Sequence, residues 1–252
     1  MGYLLSIVIG YLVGCFSPAK LLSSRKDVDL KQAGTTNLGA TNTAIVLGFG
    51  SGVIVMALDI LKAVAAYYIC AGLFPETDGA GMAAGVACIV GHCFPVFLKF
   101  RGGKGLASFG GLVLAFSLKV FLAIVIPAVA LMVILNTGVA VPLFAGVTFP
   151  VFVWLRGGTV RQIIIAVAAG TFLIGMHIGN LKKFLAGKDY VSTREFFSKH
   201  FPKKHSLTGQ QLLPGQRVKK LRSSRTSPQA GAPQGGLSCP PGNSPPGDPP
   251  KS

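Results

Sequence analysis

Between Gly2 and Ile178 the chain is a series of long apolar stretches separated by short polar breaks. Apolar stretches run over residues 2–22, 44–74, 80–98, 106–135, 139–155 and 160–178. A helix needs about 20 apolar residues to cross the hydrocarbon of a bilayer. In that medium only a helix or a closed barrel satisfies its own backbone. Continuous apolar runs of this length give helices, whereas barrel strands alternate. Only 13% of residues are charged and mean hydropathy is +0.58, against about 25% charged in a soluble domain. These features predict an all-α, polytopic integral membrane bundle. The 30-residue stretch 106–135 holds one charge, Lys119. It reads as one long helix or as two short ones hinged near Lys119, and the second option brings the total to about seven transmembrane helices. A five-span arrangement with short or re-entrant segments is the alternative.

Charge sets the expected orientation. The 20–42 loop carries Lys20, Arg25, Lys26 and Lys31, and the 99–105 loop carries Lys99, Arg101 and Lys104. Residues 182–252 hold 13 of the 24 Lys+Arg and three of the eight acids, a net +10. Basic segments stay on the cytoplasmic side. The 75–79 loop, with Glu76 and Asp78, then faces outward, as does the N-terminus. Arg156 and Arg161 fall on the outer side, against the rule. The net charge of +16 fits a tail beside anionic lipid headgroups. Nucleic acid is not an expected partner, because no aromatic platform accompanies the charge. We expect a membrane domain over 1–201 and a tail over 202–252. Eight prolines from Thr226 onward predict disorder there and a segment dispensable for insertion.

Cys15, Cys70, Cys88, Cys93 and Cys239 are scattered and odd in number. They are expected as free thiols, mostly buried. No His/Cys/acid cluster has metal-ligand spacing, so neither a metal nor a cofactor is expected. Asp59 and Lys62 sit i, i+3 inside an apolar stretch. A mutual ion pair that locks helix packing accounts for both.

Three polar stretches share the cytoplasmic side. The first is Ala33-Gly-Thr-Thr-Asn-Leu-Gly-Ala-Thr-Asn42, whose hydroxyl and amide side chains also suit helix capping. The second is Gly91-His-Cys-Phe-Pro-Val-Phe-Leu-Lys-Phe-Arg-Gly-Gly-Lys-Gly105. Gly102, Gly103 and Gly105 permit positive φ and an anion-binding nest of exposed N–H groups. Lys104 and the start of the next helix add positive charge. Glycines and lysines also make ordinary turns between membrane helices. Lys104 is followed by Gly105 rather than Ser or Thr, so no hydroxyl is placed for magnesium as in a nucleotide P-loop. The third stretch is His177-Ile-Gly-Asn180, where His177 and Asn180 share one helix face.

Taken in order and spacing, these stretches resemble the bacterial acyl-phosphate:glycerol-3-phosphate acyltransferases, the PlsY family. The resemblance spans roughly Gly10 to Asp189. It implies a seven-helix membrane enzyme with three cytoplasmic motifs and no cofactor. The implied substrates are acyl phosphate and glycerol-3-phosphate, the products lysophosphatidic acid and inorganic phosphate. The implied location is the inner cell membrane, with the site facing the cytoplasm among membrane lipids. By the same resemblance His177, Asn180 and Lys104 are catalytic, and Thr35, Asn37, Thr41, Asn42, His92, Gly102, Gly103 and Gly105 bind substrate. The chain departs from the family at several positions. Thr36 stands where a glycine is usual, Ile45 and Ile178 where arginines are usual, and Gly138 follows Thr137 in place of an arginine. A catalytically weak paralogue that binds phosphate-bearing lipid is one rival reading. A small polytopic transporter is another, and no internal repeat supports it.

Overall fold

The computed structural model describes residues 1–187. The expected tail over 202–252, its dispensable segment from Thr226, and Cys239 lie outside the described residues. Those residues form nine α-helices and one 3-10 turn. They are α1 (Gly2–Gly14), α2 (Pro18–Ser24), α3 (Ala40–Leu47), α4 (Phe49–Leu73), α5 (Ala80–Cys93), α6 (Leu106–Phe116), α7 (Leu118–Ile134), α8 (Ala140–Leu155) and α9 (Val160–Leu185), with the 3-10 turn at Val96–Leu98. Four segments are long and apolar enough to cross a membrane: Gly2–Ser24, Phe49–Leu73, Ala80–Leu98 and Val160–Leu185. Three shorter apolar helices, α6, α7 and α8, accompany them.

Local chemistry explains where the apolar stretches break. Pro18 starts α2, and the Ser17 hydroxyl accepts the Lys20 N–H at 3.3 Å, a cap that ends the first stretch early. Gly48, at φ 92°, separates α3 from α4 inside one apolar run. The hinge expected near Lys119 falls at Ser117, whose hydroxyl caps α7. Thr159 does the same for α9.

Small residues set the packing. In a membrane, helices associate through close backbone approach at Gly and Ala rather than through burial from water. Gly10 and Gly14 lie one turn apart on α1, and a Cβ on either would overlap the α5 backbone at Ala84 or Cys88. Gly146 and Gly170 bring α8 and α9 together in the same way. Gly111 seats α6 against the Ile60 carbonyl of α4. Larger side chains fill the centre: Ile89, Phe109, Leu112, Phe149 and Leu173 form one buried cluster. The Phe109 and Phe149 rings meet edge to face at 5.6 Å. Cys15, Cys70, Cys88 and Cys93 are buried free thiols, as composition predicts.

One end of the bundle is tied by Asp78. Its carbonyl accepts the Tyr3 hydroxyl. Its carboxylate accepts Gln162 Nε2 at 2.8 Å and Thr159 Oγ1 at 2.5 Å. The N-terminus, the acidic turn and the Arg156–Arg161 connection therefore share one end. This grouping matches the side assignment from charge, including its two misplaced arginines.

Candidate active site

The opposite end gathers the three polar stretches. The first folds around Asn42. This side chain is 1% exposed. Its Oδ1 accepts the Thr35 N–H at 2.6 Å, and its Nδ2 donates to the carbonyls of Leu30 at 2.9 Å and Ala33 at 3.1 Å. Asn42 was expected to contact substrate. In the structure its amide shapes the loop through these three bonds. Asn37 and Thr35 remain half-buried beside it, and Thr41 is exposed.

Thr36 stands where a glycine is usual. It takes φ +57° regardless, and its Oγ1 donates to the Thr35 carbonyl at 2.8 Å. A β-branched residue in that region is strained. Left-handed backbone costs a non-glycine residue about 1–2 kcal/mol. Thr36→Gly is therefore expected to raise stability by about 1 kcal/mol, after glycine's own entropy cost. Thermal unfolding in detergent, followed by elution profile, measures it; an unchanged or lower midpoint would refute the strain.

The glycine stretch differs from the expected nest. Gly102 N–H donates to the Cys93 carbonyl at 3.0 Å, and Gly103 N–H to the His92 carbonyl at 3.1 Å. Neither glycine takes positive φ; only Gly105 does, at +83°. Gly102 and Gly103 are needed because the loop lies hard against the end of α5. A Cβ at Gly103 would overlap His92 Nε2 and lie 2.8 Å from the Leu38 carbonyl. The unpaired backbone donors thus start one residue later. Among the described residues, no acceptor meets the N–H groups of Leu106, Ala107 and Ser108. These are the orphan donors of the α6 N-terminus. Ser108 Oγ, fully buried, also has no partner.

The Leu38 contact joins the first loop to the second. Lys31 adds a tie, donating from Nζ to the Leu98 carbonyl at 3.2 Å. The third stretch joins through Lys104, whose Nζ donates to Asn180 Oδ1. His177, one turn earlier on α9, is 5% exposed. Its Nδ1 donates to the Leu173 carbonyl at 2.9 Å, which leaves Nε2 as an acceptor. Burial pushes Lys104 below the ordinary lysine range, and the nearby charge of Lys183 adds to the shift.

Two features were not legible as part of this site. The turn at 136–138 stood out only through Gly138, which takes the place of a usual arginine. Because α8 and α9 run antiparallel from the Gly146–Gly170 crossing, it lies at roughly the level of Asn180. The pair Asp59–Lys62 read as a lock between helices. The two are bonded at 2.7 Å, but His92 is a third member. Its Nδ1 lies 2.8 Å from Lys62 Nζ and 3.2 Å from Asp59 Oδ1. In the sequence the three lie in neighbouring apolar stretches, 44–74 and 80–98, and no local pattern joins His92 to the pair. Among the described residues no cluster has the make-up of a metal site.

Known proteins match this arrangement over most of its length. The family described as Glycerol-3-phosphate acyltransferase matches residues 4–187. A glycerol-3-phosphate acyltransferase of Thermoanaerobacter pseudethanolicus is 34% identical, over 73% of this chain and 93% of its own. One from Aquifex aeolicus is 30% identical, over 75% of this chain and 99% of its own. A crystal structure of PlsY (YgiH), an integral membrane glycerol 3-phosphate acyltransferase, in its glycerol 3-phosphate form has a TM-score of 0.70 at 29% identity. It covers 75% of this chain and 94% of that one. Its lysophosphatidic acid form has a TM-score of 0.71 at 28% identity, over 78% and 99%. Sequence and backbone agree from the first apolar helix to the end of the last, so the chain belongs to the glycerol-3-phosphate acyltransferase family.

Proposed function

We propose that this chain transfers an acyl group from acyl phosphate to the 1-hydroxyl of glycerol-3-phosphate, releasing lysophosphatidic acid and inorganic phosphate. The observation that carries the reading is the Lys104–Asn180 contact. It closes α9 onto the glycine turn beside the unpaired N–H groups that open α6. Lys104 and those N–H groups hold a substrate phosphate. Thr35, Asn37 and Thr41 border the same space from the first loop, with Gly102, Gly103 and Gly105 shaping its floor. His177 Nε2 accepts from the attacking hydroxyl and aligns it.

The donor is a mixed anhydride, already activated. The hydroxyl oxygen attacks the acyl carbon, and the bond from that carbon to the phosphate oxygen breaks. The proton of the hydroxyl passes to a phosphate oxygen of the leaving group. The positive charges around the turn stabilise the charge that develops. The bundle has seven crossings in this reading, with the N-terminus outside and the site at the cytoplasmic face of the inner membrane.

The replacement of three usual arginines by Ile45, Gly138 and Ile178 favours a second reading, a weak paralogue that binds phosphate-bearing lipid. Phosphate release from acyl phosphate, measured with and without glycerol-3-phosphate, decides between them. Release that depends on glycerol-3-phosphate supports the enzyme; binding without release supports the paralogue.

The low Lys104 pKa has a consequence for pH. Phosphate binding needs the ammonium form. Affinity for glycerol-3-phosphate is therefore expected to fall on the alkaline side, beginning below the range of an ordinary lysine. Lys183 and Asn180 face Lys104 from α9 and are unchanged in Lys104→Arg, which stays charged throughout. That variant should flatten the alkaline limb of KM for glycerol-3-phosphate. A limb of the same shape in both proteins would remove Lys104 from its origin.

A further inference from the structure

The buried trio beneath the glycine turn has a directional proton arrangement. Lys62 Nζ has three protons to give. Its three shortest contacts are Asp59 Oδ1 at 2.7 Å, His92 Nδ1 at 2.8 Å and the Phe16 carbonyl at 2.9 Å, with the Gly14 carbonyl next at 3.3 Å. An ammonium can only donate, so His92 Nδ1 must be the acceptor. Asp59 Oδ1, 3.2 Å from the same nitrogen, accepts from Lys62 as well, and no proton lies between the two acceptors. The ring proton of His92 is thereby left on Nε2.

That nitrogen faces the glycine turn. His92 is 7% exposed, and its Nε2 has no partner among the described residues. It sits against Gly103, where an added Cβ would overlap it. The neighbouring backbone is fixed to the same residue, since Gly103 N–H donates to the His92 carbonyl. We propose that Asp59 and Lys62 are positioning residues for the reaction: they hold His92 as its Nε2–H tautomer, with that donor facing the turn that receives phosphate. Helix locking alone requires neither the third member nor its orientation. The proposal rests on the acyl-transfer reading for its role and on the hydrogen-bond geometry for its tautomer.

Two measurements on the full chain in lipid nanodiscs test it. The first is nitrogen NMR of protein labelled at its four histidines, with His92 assigned by its loss in His92→Gln. Expected are an unprotonated Nδ1 and a protonated Nε2; a protonated Nδ1 overturns the proposal whether or not the protein turns over. The second compares His92→Gln with His92→Asn. The Gln amide reaches the position of Nε2, and the Asn amide only that of Nδ1. His92→Asn should lose about ten-fold more in kcat/KM than His92→Gln, the loss of one hydrogen bond to a charged group. Equal losses would return the trio to a packing role.

A third variant removes the charges together. Asp59→Leu with Lys62→Met replaces a buried pair by apolar residues, a change that is often neutral for stability. Folded yield should hold while kcat/KM falls about ten-fold or more. A folded double variant with the parent rate would overturn the positioning role. If the parent itself shows no acyl transfer, the acyl-transfer reading fails, and the tautomer measurement still decides the geometry.

Discussion

Lys104→Ala is expected to raise the glycerol-3-phosphate concentration for half-maximal rate by about ten- to a hundred-fold, a loss of about 1.5–3 kcal/mol for one charge-assisted hydrogen bond. Lys99→Ala is expected to change it less than about two-fold. The two lysines are five residues apart in one loop, yet their surroundings differ. Lys104 is half-buried, bonded to Asn180, and followed by the free N–H groups of α6. Lys99 is exposed at the end of the 3-10 turn, at φ +56°, where its charge reaches lipid headgroups. A contact equally strong in ground and transition states acts on KM rather than kcat. Steady-state kinetics of both variants in lipid, with folded protein confirmed by elution profile, is the measurement. Equal small effects would remove the phosphate assignment from Lys104.

The second large effect is on folding. Gly14→Leu should destabilise the bundle by about 3 kcal/mol or more, the upper range for overpacking. Even the Cβ would overlap the backbone of Cys88, so no rotamer avoids the clash. Moving α1 away also withdraws the Gly14 and Phe16 carbonyls from Lys62, which is bonded to both, and a buried ammonium loses part of its solvation. Gly72→Leu is the matched control. It lies in α4 with open space around its Cβ position and should leave the thermal midpoint within about 0.5 kcal/mol of the parent. Similar midpoints for the two variants would show that α1 does not depend on the glycine seam.

The fold was legible because bilayer hydrocarbon leaves few options. Apolar length gave the helical segments and charge grouped most of their ends; Arg156 and Arg161 reach the Asp78 end through the succession of spans, against their charge. The breaks within apolar runs were less visible, since Ser17, Gly48 and Ser117 act through caps and dihedral angles rather than hydropathy. The site was legible as three stretches but not in its internal wiring. Asn42 looks like a substrate ligand by type, and only the fold reveals that Leu30, Ala33 and Thr35 consume its amide. Gly102 and Gly103 look like a nest by spacing. Their N–H groups instead end α5, because close approach, not positive φ, is what requires glycine there. His92 and Asp59 are 33 residues apart, and no local pattern could join them.

The shortness of α6 bears on the lipid around it. Eleven residues make a helix of about 16 Å, roughly half of a hydrocarbon core of about 30 Å. Its last turn ends in the Ser117 bend, where the Tyr68 hydroxyl satisfies the Ala115 carbonyl and exposed Lys119 is the second residue of the next helix. With α7 and α8 at 17 and 16 residues, these three helices have less hydrophobic height than α4 and α9, at 25 and 26 residues, which pack against α6 and α8 respectively. Such a difference is met by thinning the adjacent leaflet, at a fraction of a kcal/mol per ångström. Lipids of shorter chain are therefore expected beside α7 and α8, which expose Leu122, Ile126, Val147 and Val151.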